Sequence, residues 1–424
     1  MRRYGTGAAG GRSSQTASRN GFRVSRPEPD AGLGAAAERR PVASQVARRS
    51  TRIPELWPLG AVLAVLALSI RRTSIDVAAG GQIVSAFHAP LFWVDYGDGF
   101  VRRGLPGELL SWSSAGSPDY GLMVAAAIVL AATAALSLLG VAVVLGRAAP
   151  TAPTAIAVTA LVLAAPFTLT LLLRDLGRYD GVGVVAIAII VLLGIRPGSA
   201  PLSTSIVLAV AVAAAAGSEE FLVAFAAPAA IAAAYRLAGD HAGGARLAVV
   251  ILGPGAVVAA AGLLTRPSPE SLASRLAEAR TAGVGPSFPA GNDAVTHLGN
   301  SVEQQMGVID RYPPADLIGT WLLCGAAAVS IGAVVWLLLG RPAPAPTMLT
   351  AGWLGLVTVT LSLVGVDYIR WWALAFVGLV AFLCLVDRPA RPVPPPIPVS
   401  VLVAAAVVVC LAGQRLGIEP LTLD

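Results

Sequence analysis

Apolar residues come in long blocks separated by short polar links, not at the alternate positions of a half-buried strand. About eleven blocks follow one another, over roughly 54–70, 121–145, 153–173, 181–195, 205–217, 221–235, 247–265, 317–339, 347–365, 371–386 and 396–413. A helix needs about 20 apolar residues to span the hydrocarbon, with roughly 17–25 as the range. The pattern predicts an all-α, polytopic α-helical membrane protein with about eleven transmembrane segments (ten to twelve). Segments 205–217 and 221–235 are short enough to form a re-entrant pair of half-helices instead of two spans.

Composition sharpens this picture. Of 424 residues, 56% are hydrophobic and 13% charged, where a soluble domain carries about 25% charged residues. Lipid must therefore be the main solvent. Cys324, Cys384 and Cys410 lie inside apolar runs, which disfavours a disulfide framework. His88, His241 and His297 are scattered, with no zinc-ligand spacing. No P-loop, G-x-S-x-G or H-E-x-x-H occurs. Soluble enzymes, zinc proteins and nucleotide hydrolases are disfavoured, no cofactor is expected, and nothing calls for a divalent metal.

Charge gives orientation. The net charge is +6, and every one of the 30 basic residues is Arg. Eleven of them fall in residues 1–52 against Glu28, Asp30 and Glu38, leaving the remainder slightly acidic. Residues 1–52 are rich in Gly, Ser, Ala and Pro and lack apolar periodicity. They read as a disordered Arg-rich tail ahead of a multi-span membrane domain, 53–424. The first apolar run begins only near Ile53, which fits a signal anchor better than a cleaved leader. Such a tail suits topology and anionic headgroups more than nucleic acid, and no nucleic-acid partner is expected.

With the tail in the cytoplasm, the inside links 146–152, 196–204, 236–246, 340–346 and 387–395 carry Arg147, Arg196, Arg236, Arg246, Arg341, Arg388 and Arg391 against only Asp240 and Asp387. That obeys the positive-inside rule and puts the C-terminus outside. The outer face then receives two long loops, 71–120 and 266–316, and three short links, 174–180, 217–220 and 366–370. The polar chemistry gathers there.

The densest stretch is F-W-V-D-Y-G-D-G-F-V-R-R-G-L-P-G-E-L-L, residues 92–110, with Asp95, Asp98, Arg102, Arg103 and Glu108. An Arg pair grips phosphate bidentately, and a carboxylate beside it takes a proton from an attacking hydroxyl. The plainer reading is an interfacial hairpin whose arginines touch lipid phosphate. R-D-L-G-R-Y-D, 174–180, brings Arg174, Asp175, Arg178 and Asp180, and V-D-Y-I-R-W-W, 366–372, repeats the D-x-x-R spacing with Asp367 and Arg370. Either is also a turn whose charges neutralise each other within an aromatic belt. Ionisable residues at membrane depth cost about 2.5–3.5 kcal/mol on insertion scales, so their recurrence on one face calls for a role. In G-S-E-E-F, 217–221, Glu219 and Glu220 point about 100° apart on a helix. One then faces a cavity and the other caps the next helix. In 266–316, Ser268 and Pro269 open a surface helix in which Arg275 and Glu278 pair. It reads as a packing helix or a lid.

This arrangement resembles polytopic bacterial membrane glycosyltransferases of the GT-C type and O-antigen-polymerase-like membrane proteins. The former keep an acidic residue in the first extracytoplasmic loop, and the latter depend on extracytoplasmic arginines. The resemblance implies a bacterial inner-membrane enzyme that takes a sugar from a polyprenyl-phosphate donor and passes it to a glycan or lipid acceptor. It implies Asp98, or else Asp95, as the general base. Arg102, Arg103, Arg178 and Arg370 would bind phosphate, with Asp175, Asp180, Asp367, Glu108 and Glu219 in support. Two other readings compete: a transporter or flippase for an anionic lipid-linked or small solute, and a non-catalytic envelope scaffold.

Overall fold

A computed structural model describes residues 67, 83–97, 99–114, 118–174, 176–196, 202–285, 293–309, 313–388, 395 and 397–415. The tail 1–52, nearly all of the first apolar segment, Asp98 and Asp175 lie outside the described residues. The described residues contain helices and no strands.

After a short 3-10 turn at Ala89–Trp93, the helices are α1 (Leu105–Ser114), α2 (Tyr120–Arg147), α3 (Ala152–Ala164), α4 (Leu169–Arg174), α5 (Asp180–Gly194), α6 (Leu202–Ser218), α7 (Leu222–Ala238) and α8 (His241–Leu264). They continue as α9 (Pro269–Thr281), α10 (Ala294–Leu298), α11 (Val302–Ile309), α12 (Pro314–Leu338), α13 (Pro344–Ser362), α14 (Tyr368–Leu385) and α15 (Val399–Arg415). Five of these, α2, α8, α12, α13 and α14, are long and apolar enough to cross a membrane. Helices α3, α5, α6, α7 and α15 are apolar but shorter. The expectation of about eleven spans is therefore met at the coarser level of an all-helical protein with several membrane-grade helices. The suspected half-helices are α6 and α7, each 17 residues long.

Their outer faces explain the composition. Leu136, Val249, Val257, Leu264 and Leu349 are all well exposed on their helices. Apolar surface on that scale needs an apolar surrounding. Caps fix several helix starts in the polar links. Asp119 accepts from Leu122 N at 2.7 Å and Asp240 from Gly243 N at 2.7 Å, each meeting a donor the helix itself leaves unpaired.

The predicted segment 153–173 divides into α3 and α4. Pro166 forces Ala165 into an extended conformation (ψ 132°). Thr168 Oγ1 then stands 2.8 and 2.9 Å from the carbonyl oxygens of Val162 and Ala165, which share its one proton. The broken end is thus satisfied internally.

Helix α14 is the centre of the bundle. Sixteen of its 18 residues are buried, and it packs against α2, α5, α7, α12 and α13. Gly378 permits the closest approach. A Cβ there would stand 2.6 Å from the Phe225 carbonyl oxygen of α7.

The two long loops fold onto each other. The turn at 89–93 packs against α1, α9 and α10. Leu91, Phe92, Trp93, Leu272, Ala279 and Leu298 share a small apolar core of their own. Helix α9 starts as the sequence predicts, with Ser268 Oγ accepting from Ser271 N at 3.1 Å and Pro269 in the first turn. Its Arg275 pairs with Glu278 at 3.4 Å and, across the loops, with Asp95 at 2.7 Å.

Candidate functional site

Beneath this cap, four polar links meet. The turn after Val101 carries Arg102 and Arg103. The α4–α5 link carries Arg178 and runs into Asp180, the α6–α7 link carries Glu219 and Glu220, and the start of α14 carries Arg370 after Asp367. Helices α5, α7 and α14 all begin here. Their N-termini add positive potential from unpaired N–H groups.

Arg370 is the hub, only 6% exposed. Its Nε donates to both Asp180 oxygens at 2.7 and 2.6 Å. Its Nη2 lies 2.7 Å from Glu219 Oε2, and its Nη1 lies 3.3 Å from Asp367 Oδ2. The guanidinium also stands over the Phe221 ring, 4.9 Å from its centroid. Asp367 bridges onward to Arg178 at 3.3 Å. On the other side, Glu219 Oε1 meets Arg103 Nη2 at 2.5 Å. Arg103 Nε and Arg102 Nη1 each approach Glu220 at 3.7 Å. Arg103 adopts φ 65°, the left-handed region that side chains disfavour. This tight turn sends both neighbouring arginines into the cluster. Arg102 Nη2 donates to the His297 and Leu298 carbonyls at 3.0 and 2.8 Å, which ties the cap to the bundle.

Four guanidinium groups thus face four carboxylates. Removing so many charges from water is costly, and only full pairing makes it tolerable. Burial pushes the Glu219 carboxyl above its usual range, against the pull of Arg103 and Arg370. Burial acts on Glu220 in the same sense, but Arg103 and Arg102 outweigh it and hold that carboxyl low. Asp367 is also held low, because Arg178 and Arg370 overcome its desolvation. Two adjacent acids are therefore pushed apart by their surroundings.

The placement of the remaining candidates is specific. Asp95 pairs with Arg275 and accepts from Gly97 N at 2.9 Å. Glu108 accepts from Tyr96 N at 2.9 Å and braces the first loop. Arg178 and Asp180 also stand at the polar end of a crevice between α2, α4 and α5, walled by Leu130, Ala131, Leu171 and Leu172.

No family model matches this chain, nor does any curated protein or solved structure.

Two expectations change on this geometry. Glu220 is not a helix cap: Phe221 occupies the N-cap of α7 without a side-chain cap, and both glutamates face arginines. Arg102 and Arg103 do not act as one fork. Arg103 reaches both acids, whereas Arg102 divides its donors between Glu220 and cap carbonyls.

Two residues escaped the sequence reading. His88 is nearly buried, with Nδ1 2.9 Å from Ser85 Oγ. Burial and then Arg178 hold its imidazole well below the ordinary value. Tyr179 is buried beside Arg178 and Asp180. The signal for Tyr179 was its place between two charged residues. For His88 no local pattern existed.

Proposed function

We propose that this protein is a multi-span transferase that handles a polyprenyl-phosphate-linked sugar at the extracytoplasmic face of the inner membrane. The observation that carries this reading is the convergence of Arg102, Arg103, Arg178 and Arg370 where three helix N-termini meet. Guanidinium groups and helix N-termini are the natural hosts of a phosphate.

In this reading, the acceptor hydroxyl oxygen attacks the anomeric carbon and the bond from that carbon to the phosphate oxygen breaks. The arginines stabilise the departing lipid phosphate, where negative charge grows. Glu219 is suited to take the acceptor proton, because burial raises its basicity. Asp98 remains a second base, from the densest motif of the first loop.

The test scores surface glycan in cells whose only copy carries Arg102→Ala, Asp98→Asn or Glu219→Gln. Loss of glycan at normal protein level is expected from Arg102→Ala and from at least one carboxylate variant. Wild-type glycan from all three overturns the reading.

A transporter for an anionic solute is the second reading. It is favoured by helices α5, α6 and α7, which are 15–17 residues long and have ends at the charged cluster. Uptake of an anionic solute into proteoliposomes, with no sugar transfer, would decide for it.

A further inference from the structure

Tyr179 is the N-cap residue of α5 and is 1% exposed. Its ring packs edge-on against Phe92, with centroids 5.3 Å apart, so the side chain is held in place. Its hydroxyl is buried and has no hydrogen-bond partner among the described residues. Such a group is costly, and a Phe would fill the same space without that cost. Buried polar groups without partners are uncommon enough that each needs an explanation.

The surroundings supply one. The neighbours of Tyr179 in sequence, Arg178 and Asp180, both belong to the ionic cluster. The charged groups acting on the phenol are Glu219 and Arg103. Arg103 Nε makes an ion pair with Glu220 at 3.7 Å but no hydrogen bond among the described residues. The phenol is therefore an unspent neutral donor at the start of α5, acted on by an Arg103 guanidinium whose Nε is only loosely paired. Glu219 Oε1 and Glu220 Oε2 are likewise buried without a hydrogen bond among the described residues. An oxyanion is the ligand that accepts from both the phenol and the Arg103 guanidinium.

We propose that the Tyr179 hydroxyl is a ligand-binding group, donating a hydrogen bond to a phosphate oxygen of the lipid-linked substrate held beside Arg103. This rests on the phosphate-handling reading above and names a residue that reading does not use. Burial, and then Glu219, push the phenol well above its ordinary pKa. It stays protonated and acts as a donor, not as a base.

The experiment uses the purified full chain in detergent, wild type and Tyr179→Phe. Each is titrated with farnesyl phosphate, and with farnesol as the uncharged control, following thermal unfolding. The wild type is expected to be stabilised by farnesyl phosphate and not by farnesol. Tyr179→Phe is expected to unfold, without ligand, at the same temperature or higher, and to bind farnesyl phosphate about tenfold more weakly, the scale of one hydrogen bond to a charged group. Equal affinity in the two proteins overturns the role of Tyr179 and leaves the phosphate reading standing. Unfolding of free Tyr179→Phe at a lower temperature also overturns it, because the hydroxyl would then serve the fold. No stabilisation of the wild type by farnesyl phosphate overturns the phosphate reading and Tyr179 with it.

Discussion

Arg370 Nη2 lies 2.7 Å from Glu219 Oε2, linking the first turn of α14 to the junction of α6 and α7. The same guanidinium holds Asp180 at 2.6 Å, so one buried cation ties three parts of the chain. Arg370→Ala strands the buried Asp180 and leaves Glu219 with Arg103 alone. Breaking a buried pair from one side costs about 3–5 kcal/mol. Thermal unfolding in detergent should show a large loss, and Asp180→Asn added to Arg370→Ala should recover part of it. No recovery would mean that Asp180 is not stranded by the single change.

Arg102 connects cap and bundle through the His297 and Leu298 carbonyls. Arg102→Ala should loosen the cap while leaving the bundle core intact. Amide hydrogen exchange should rise in 293–309 and stay unchanged across α14. Hydrogen bonds to charged groups contribute about 1.5–3 kcal/mol each, which sets the scale of that local opening.

Asp367 supplies an acid-side dependence. Its folded-state pKa is depressed below the unfolded value, because Arg178 and Arg370 outweigh desolvation. Its stabilising contribution is therefore present above the unfolded pKa, about 3.9, and is lost as pH falls through the folded value. The stability advantage of wild type over Asp367→Asn should be full at pH 7 and shrink below about pH 4. An advantage independent of pH would sink the assignment.

Glu219 behaves in the opposite sense. Its pKa is raised, chiefly by burial. If it takes the acceptor proton, transfer should fall as pH drops through a value above the usual glutamate pKa, about 4.3. Glu219→Gln should lower the rate by about 100-fold or more and remove that limb from the residual activity. A rate profile with the limb intact in Glu219→Gln would assign the proton transfer elsewhere.

Gly378 tests the packing that builds the site. An Ala Cβ would stand 2.6 Å from the Phe225 carbonyl oxygen, an atom that cannot rotate away. Gly378→Ala should destabilise by about 1–3 kcal/mol, the typical cost of overpacking. Gly352→Ala, on α13 with open space around the same position, serves as the control and should be near neutral.

Much of the fold was legible in the chain. The apolar blocks mark nine of the described helices, α2, α5 to α8 and α12 to α15, to within six residues at either end, because burial in lipid demands an uninterrupted apolar run. The break between α3 and α4 was missed, although Pro166 was its signal. In the site, Asp367 and Arg370 were legible as a pair three residues apart, and the structure places them 3.3 Å apart. Such a contact is set by helical geometry alone.

The other pairs depend on how helices stand against one another. Arg178 meets Asp367 from the α4–α5 link, and Glu220 turns to Arg102 and Arg103 instead of capping α7. Nothing local distinguishes a capping glutamate from one aimed across an interface. What the sequence by itself determined was which segments are apolar enough for lipid and which links carry the charges, since both follow from apolar run length and the positions of the ionisable residues. Only the tertiary structure decided which charge neutralises which. Ionic pairing under a cap is fixed by close helix approach at residues such as Gly378, and by the free-energy cost of leaving any buried charge alone.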